Sequence, residues 1–208
     1  MKLKLITITA LLYIMYTNQA LGTSIFFLGD SLTEGLRVLT KESYPVVLKE
    51  KLSQKGINIE IIVDGISGST SASGPSRLKK LLEKETPEYL FLALGANDGL
   101  RGYPTDSLKT NLEKCITMAL DAGTKVILAG MQIPDNYGMR YSNEFKQVYQ
   151  DLYAEYKGTK RLSFYVFLLE GVALNANLNQ SDGIHPNAAG YEVIAENLLE
   201  FFIEKIIK

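Results

Sequence analysis

Five short apolar runs recur along the chain: Ile25 to Leu28, Ile59 to Val63, Tyr89 to Leu94, Lys125 to Ala129 and Leu162 to Phe167. β-branched and aromatic residues dominate them, and most are continuous rather than alternating, the pattern of strands covered on both faces. Helical spacing fills the intervals. One stretch runs from Pro45 to Leu52 after Ser43-Tyr44, a second from Pro75 to Leu82 behind Gly74, and a third from about Thr105 to Asp121. A fourth places Tyr141, Phe145, Val148 and Leu152 on one face. The last begins after Pro186 and Asn187 and places Tyr191, Ile194, Leu198, Phe202 and Ile206 on one stripe. Strand, helix, strand repeated in this way predicts an α/β fold: a five-stranded parallel sheet in a three-layer α/β/α sandwich with right-handed crossovers. The longest irregular stretches, about Gly65 to Gly74, Gly95 to Pro104, Gln132 to Arg140 and Asn175 to Asn187, all follow predicted strands. They therefore gather on one rim of the sheet, together with the turn at Ser31.

The 208 residues carry no internal repeat, low-complexity block or dividing linker, so one domain is expected, large enough to bury its own core. With 22 basic against 23 acidic residues, a net charge of −1 and no basic tract, nothing calls for a nucleic-acid partner. The N-terminus changes the picture. Lys2 and Lys4 precede an apolar stretch from Leu5 to Tyr16, followed by small residues at Ala20 and Gly22. This reads as a signal peptide over residues 1–22, leaving 23–208 as the mature domain, exported to the periplasm or secreted. A retained anchor or a first buried strand is the alternative, but the run is shorter than the ~20 residues a spanning helix needs. The single cysteine, Cys115, shares a helical face with Leu108, Leu112, Ile116 and Ala119, which assigns it to the core.

Gly29-Asp30-Ser31-Leu32 leads directly out of the first apolar run, so the Ser31 hydroxyl stands at a strand's carboxyl end, where open parallel sheets keep their ligand sites. Ser31 is a candidate nucleophile; a serine in such a turn also serves as an N-cap or in a phosphate loop. Acyl transfer needs a base, a group to orient it, and donors for the tetrahedral oxyanion. His185 is the only histidine, and it follows Asp182 by three residues in Ser181-Asp182-Gly183-Ile184-His185-Pro186. A carboxylate at that spacing can accept from the imidazole ring, although Asp-Gly is also a common turn dipeptide. Gly68, in Gly65-Ile66-Ser67-Gly68-Ser69-Thr70, lets a backbone N–H approach a substrate closely. Asn97, in Leu94-Gly95-Ala96-Asn97-Asp98-Gly99, offers a side-chain amide just past the third strand. Each of these has a plain reading as loop or turn, but four rim loops each supply one part of a serine acyl-transfer site.

These blocks resemble those of the SGNH, or GDSL-type, hydrolases, in order and in spacing: Gly29-Asp30-Ser31-Leu32, Gly68, Gly95-Ala96-Asn97-Asp98 and Asp182-Gly183-Ile184-His185-Pro186. Leu94 to Gly102 and Met131 to Gly138 are similar to the periplasmic bacterial branch with thioesterase, arylesterase and lysophospholipase activities. The resemblance implies a flavodoxin-like sheet topology, Ser31 as nucleophile, His185 as base and Asp182 as its orienter. It also implies an oxyanion hole of the Ser31 and Gly68 N–H groups and the Asn97 side chain. Two positions depart from that branch: Asp64-Gly65 stands where it usually has Asn-Ala, and Ser69 where an acidic residue often follows the glycine. The expected reaction is hydrolysis of carboxylic esters or thioesters of small molecules or lipids, by a monomer without cofactor or metal. Met131, Ile133, Pro134 and Tyr137 are expected to wall an acyl chain. The alternatives are a carbohydrate O-acetylesterase and, from another class, a flavodoxin-like module whose Gly29 to Gly35 turn cradles a phosphate.

Overall fold

The computed structural model describes residues 23–207, and the predicted signal peptide lies outside them. Five strands, β1 (Thr23–Gly29), β2 (Ile59–Gly65), β3 (Tyr89–Ala93), β4 (Lys125–Ala129) and β5 (Leu162–Tyr165), form one sheet in the order β2-β1-β3-β4-β5. Every pairing is parallel. This is the flavodoxin-like order, in which the sheet reverses direction of growth between β1 and β3 and opens a crevice at their carboxyl ends. The inner strands β1, β3 and β4 are buried almost throughout, as continuous apolar runs require. The edge strand β2 differs: only Ile59 is buried, and Val63 is 40% exposed.

Seven α-helices accompany the strands: α1 (Ser31–Glu34), α2 (Tyr44–Gln54), α3 (Gly74–Leu82), α4 (Ala96–Leu100), α5 (Thr105–Asp121), α6 (Met139–Tyr156) and α7 (Ala188–Phe202). The five longer ones sit where the periodicity predicts them; α1 and α4 are single turns inside segments predicted as irregular. Helices α2 and α7 pack together, while α5 packs between α3 and α6. Beneath α2 and α7, Phe27 meets Tyr44 and Phe91, and Phe91 stacks on Phe202. Beneath α6, Phe145 meets Tyr149 edge to face. Offset and edge-on pairs of this kind add to the burial of ring area. Cys115 lies in the core, and its burial pushes the thiol up to about 12. Among the described residues no helix is long and apolar enough to cross a membrane.

Candidate active site

Ser31 is the first residue of α1, directly beyond β1. The preceding Asp30 is fully buried and caps the helix, its Oδ1 accepting the Leu32 N–H at 3.0 Å. That carboxyl occupies the helix entrance, where the phosphate-cradle reading would have put an anion. Gly35, with φ 79°, closes the turn by donating its N–H to the Ser31 carbonyl. Ser31 is thus held in a one-turn helix, with its hydroxyl aimed at the last loop of the chain.

Across the crevice, Ser31 Oγ lies 2.9 Å from His185 Nε2, and His185 Nδ1 lies 2.9 Å from Asp182 Oδ2. The second carboxylate oxygen, Oδ1, accepts the N–H groups of Ile184 and His185, each at 3.0 Å. Desolvation pushes the Asp182 carboxyl up, but these two N–H donors and the imidazole together outweigh it and hold the group at about 2. Asp182 is therefore an acceptor at neutral pH, so in the neutral ring Nδ1 carries the proton and Nε2 accepts from the serine hydroxyl. The loop is anchored by Gln180, whose N–H donates to the His185 carbonyl at 2.8 Å and whose side chain donates to the carbonyls of Leu36 and Pro186. Arg37 adds a cation, its guanidinium donating to Asp182 Oδ2 at 3.2 Å.

The two candidate donor loops converge on the same turn. Asn97 sits in the first turn of α4 and donates from Nδ2 to Asp30 Oδ2 at 3.3 Å. Burial pushes the Asp30 carboxyl up to about 6, against the opposing pull of the Leu32 N–H, the Asn97 amide and the nearby His185. Next to Asn97, the buried Asp98 accepts from both the N–H and the hydroxyl of Ser71, which joins the loop after β3 to the one after β2. Gly68 has φ 76°, and a Cβ there would meet only the Arg101 guanidinium at 3.5 Å; backbone conformation rather than crowding demands glycine. Its carbonyl accepts from Arg101 at 3.0 Å. The preceding residue, Ser67, donates both its N–H and its hydroxyl to Glu34 Oε2 on α1.

The chain between β4 and α6 departs from expectation. Met131 and Ile133 are buried in the core, while Pro134 and Tyr137 are exposed. Ile133 fills the space beside Gly99 and Phe145, where a Cβ on Gly99 would collide with both side chains. An apolar residue just past a strand can be drawn under the helices that cover the sheet, and Met131 and Ile133 pack there, which leaves Pro134 and Tyr137 as the exposed members of the proposed acyl wall. Exposed apolar side chains on loops that follow strands include Ile66, Tyr103, Tyr137, Val166 and Ile184, with Met139 at the start of α6. A groove of about 590 Å³ between α5 and α6, lined by Asp106, Lys109, Glu144 and Asp151 among others, contains none of the candidate residues.

An apposed hydroxyl, imidazole and ionised carboxylate, with glycine and amide donors nearby, can support nucleophilic acyl transfer. The sequence model of the GDSL-like lipase/acylhydrolase family matches residues 27–193. An arylesterase of Vibrio mimicus is 33% identical over 99% of this chain and 98% of its own. Esterase TesA of Pseudomonas aeruginosa is 36% identical over 89% of this chain and 90% of its own. The crystal structure of the psychrotrophic esterase EstA from Pseudoalteromonas sp., inhibited by monoethylphosphonate, superimposes with a TM-score of 0.82 at 30% identity, covering 89% of this chain and 100% of that one. The chain belongs to the GDSL-like lipase/acylhydrolase family and is an ester hydrolase.

Proposed function

We propose that this ester hydrolase works through Ser31, His185 and Asp182 on small acyl esters and thioesters outside the cytoplasm. The observation that carries the assignment is the unbroken relay from Ser31 Oγ through both imidazole nitrogens to Asp182 Oδ2, two contacts of 2.9 Å each. His185 Nε2 takes the hydroxyl proton as Ser31 attacks the carbonyl carbon, and Asp182 stabilises the imidazolium that forms. The negative charge that develops on the carbonyl oxygen is received by the Ser31 and Gly68 N–H groups and the Asn97 amide. Preorganised donors of this kind meet such a charge without reorganisation, usually the largest single contribution to acyl transfer. The imidazolium then protonates the departing alcohol or thiol, and the same ring activates water to release the acid.

The exposed side chains of Tyr137, Pro134, Ile66 and Ile184, all on loops that follow strands, suit an apolar acyl or aryl group. Residues 1–22 are proposed as an export signal, leaving a monomeric mature enzyme that begins near Thr23. Mass spectrometry of the exported protein reads the cleavage directly, and an intact N-terminus overturns it. The activity is tested with p-nitrophenyl esters from acetate to palmitate and a parallel acyl-thioester series, with Ser31→Ala as control and a fluorophosphonate as covalent probe. Stoichiometric labelling of the parent enzyme, lost with turnover in Ser31→Ala, is expected; turnover retained in that variant rejects the assignment.

A further inference from the structure

We infer that Glu34 is a positioning residue for the oxyanion hole: its carboxylate fixes the Ser67 end of the donor turn against the helix that carries Ser31 and so places the Gly68 N–H. The inference rests on the reading of Gly68 as an oxyanion donor. Residues Ile66, Ser67, Gly68 and Ser69 form a β-turn closed by the Ser69 N–H donating to the Ile66 carbonyl at 3.1 Å. Gly68 at its third position has φ 76°, and Ser67 is not among the residues of positive φ, which is the signature of a type II turn. Types I and II differ chiefly by a half-rotation of the central peptide, here the one that carries the Gly68 N–H. The turn type therefore sets the direction of that N–H, and whatever anchors the turn sets its position.

The two peptides that flank it are each held from outside the loop. On the C-terminal side, Arg101 donates to the Gly68 carbonyl at 3.0 Å. On the N-terminal side, Glu34 Oε2 accepts the Ser67 N–H at 2.7 Å and the Ser67 hydroxyl as well, two charge-assisted bonds to one residue. Glu34 is also the last residue of α1, whose first residue is Ser31. The same helix turn thus carries the nucleophile and the clamp on the donor loop. Gly65 makes the connection stiff: a Cβ there would lie 2.2 Å from the Glu34 nitrogen and 2.6 Å from its Cα, so β2 and α1 meet backbone to backbone. The loop's placement follows α1 because nothing compliant separates them.

The test compares Glu34→Gln, Glu34→Asp and Glu34→Ala on one short-chain ester, with Ser31→Ala alongside. Glutamine keeps an acceptor oxygen at the same reach without charge; aspartate keeps the charge but falls a methylene short. If the carboxylate acts by position, Glu34→Gln stays within about threefold of the parent kcat. Glu34→Asp and Glu34→Ala should then lose roughly 10- to 100-fold in kcat with KM within twofold, less than the 10²–10³ typical of deleting a donor outright. A trifluoromethyl ketone, which forms a tetrahedral oxyanion on the serine, should weaken in proportion to kcat/KM across the series. A merely structural role moves melting temperature without that proportionality. The reverse order, with Glu34→Asp active and Glu34→Gln impaired, shows a field effect and overturns the inference, as does a parent-like kcat in Glu34→Asp and Glu34→Ala. Should Glu34→Ala fail to fold, the glutamine and aspartate pair decides alone. An inactive Ser31→Ala beside a fully active Glu34 series rejects only the clamp; an active Ser31→Ala rejects the triad itself.

Discussion

Replacing Asn97 by aspartate sets a carboxylate against the buried Asp30. The amide nitrogen at 97 stands 3.3 Å from Asp30 Oδ2, and an aspartate oxygen would occupy nearly the same position. Two unit charges at that separation repel by about 5 kcal/mol at an effective dielectric constant of ~20, equivalent to roughly 3 to 4 pH units. Asp30 is already raised to about 6 by burial, so the pair should retain one proton well above neutrality. That proton bridges the two carboxyls, and no N–H remains for the oxyanion. The expected outcome is a fall in kcat of roughly 10²- to 10³-fold at pH 8 with KM little changed. Stability carries a second signature. A carboxyl pair whose folded-state affinity for protons exceeds that of the unfolded chain contributes its stability at low pH and loses it as pH rises through the folded value. The melting temperature of Asn97→Asp should therefore approach the parent's near pH 5 and fall away from it between about pH 6 and 9. Asn97→Ala removes the donor without adding charge, so it should share the kcat loss without the steep pH slope. Steady-state kinetics and melting curves on both variants from pH 5 to 9 are sufficient. An Asn97→Asp enzyme with near-parent kcat at pH 8 would refute the donor role and the electrostatic reasoning together.

Ser31→Ala and His185→Ala should each abolish nearly all turnover of a p-nitrophenyl ester, whereas Asp182→Ala should retain on the order of 10²-fold more, because orientation of the ring is only partly lost. Gly65→Ala drives a methyl into the α1 backbone, with its Cβ 2.2 Å from the Glu34 nitrogen. Overpacking of about 1–3 kcal/mol should lower the melting temperature by roughly 2–12 °C and reduce kcat with it, and an unchanged enzyme contradicts the rigid contact. Asp182, held at about 2, is ionised throughout the range above pH 4, and its stabilising contribution is lost only as pH falls through the folded value. The melting-temperature gap between the parent and Asp182→Ala should accordingly narrow as pH falls from about 4 toward 2; a gap unchanged over that interval assigns the effect elsewhere.

The strands were legible as continuous apolar runs and the longer helices because each is long enough to show a period, whereas the flavodoxin-like strand order followed from the resemblance; Ser31, Asp182 and His185, which the fold brings together, stood out because few residue types offer such chemistry. The one-turn helices α1 and α4 left no trace, since four or five residues cannot display a 3.6-residue repeat. The burial of Met131 and Ile133 was not legible for a related reason: an apolar residue in a loop looks the same in sequence whether it faces a ligand or the core. Glu34, Arg37, Arg101 and Gln180 act across long sequence separations, and contacts between distant positions create no local pattern. The departures at Asp64-Gly65 become intelligible in three dimensions. Asp64 pairs with Arg77, which also holds the Gly29 carbonyl at the end of β1, and Gly65 admits α1.

His185 lies 154 residues after Ser31, so the two ends of the folded domain must meet before the relay exists. A chain still being made or threaded presents the serine just past its first strand long before any imidazole can reach it. The closing piece is α7, which begins three residues after His185 and seats Phe202 on Phe91 in the core. Catalysis is in this sense a completion signal. At synthesis rates of ~5–20 residues per second, roughly 8 to 30 seconds separate the emergence of the hydroxyl from that of its base. A fragment ending before α7 would carry the nucleophile in silence, and the appearance of esterase activity during refolding would time the docking of the last helix rather than the formation of the sheet.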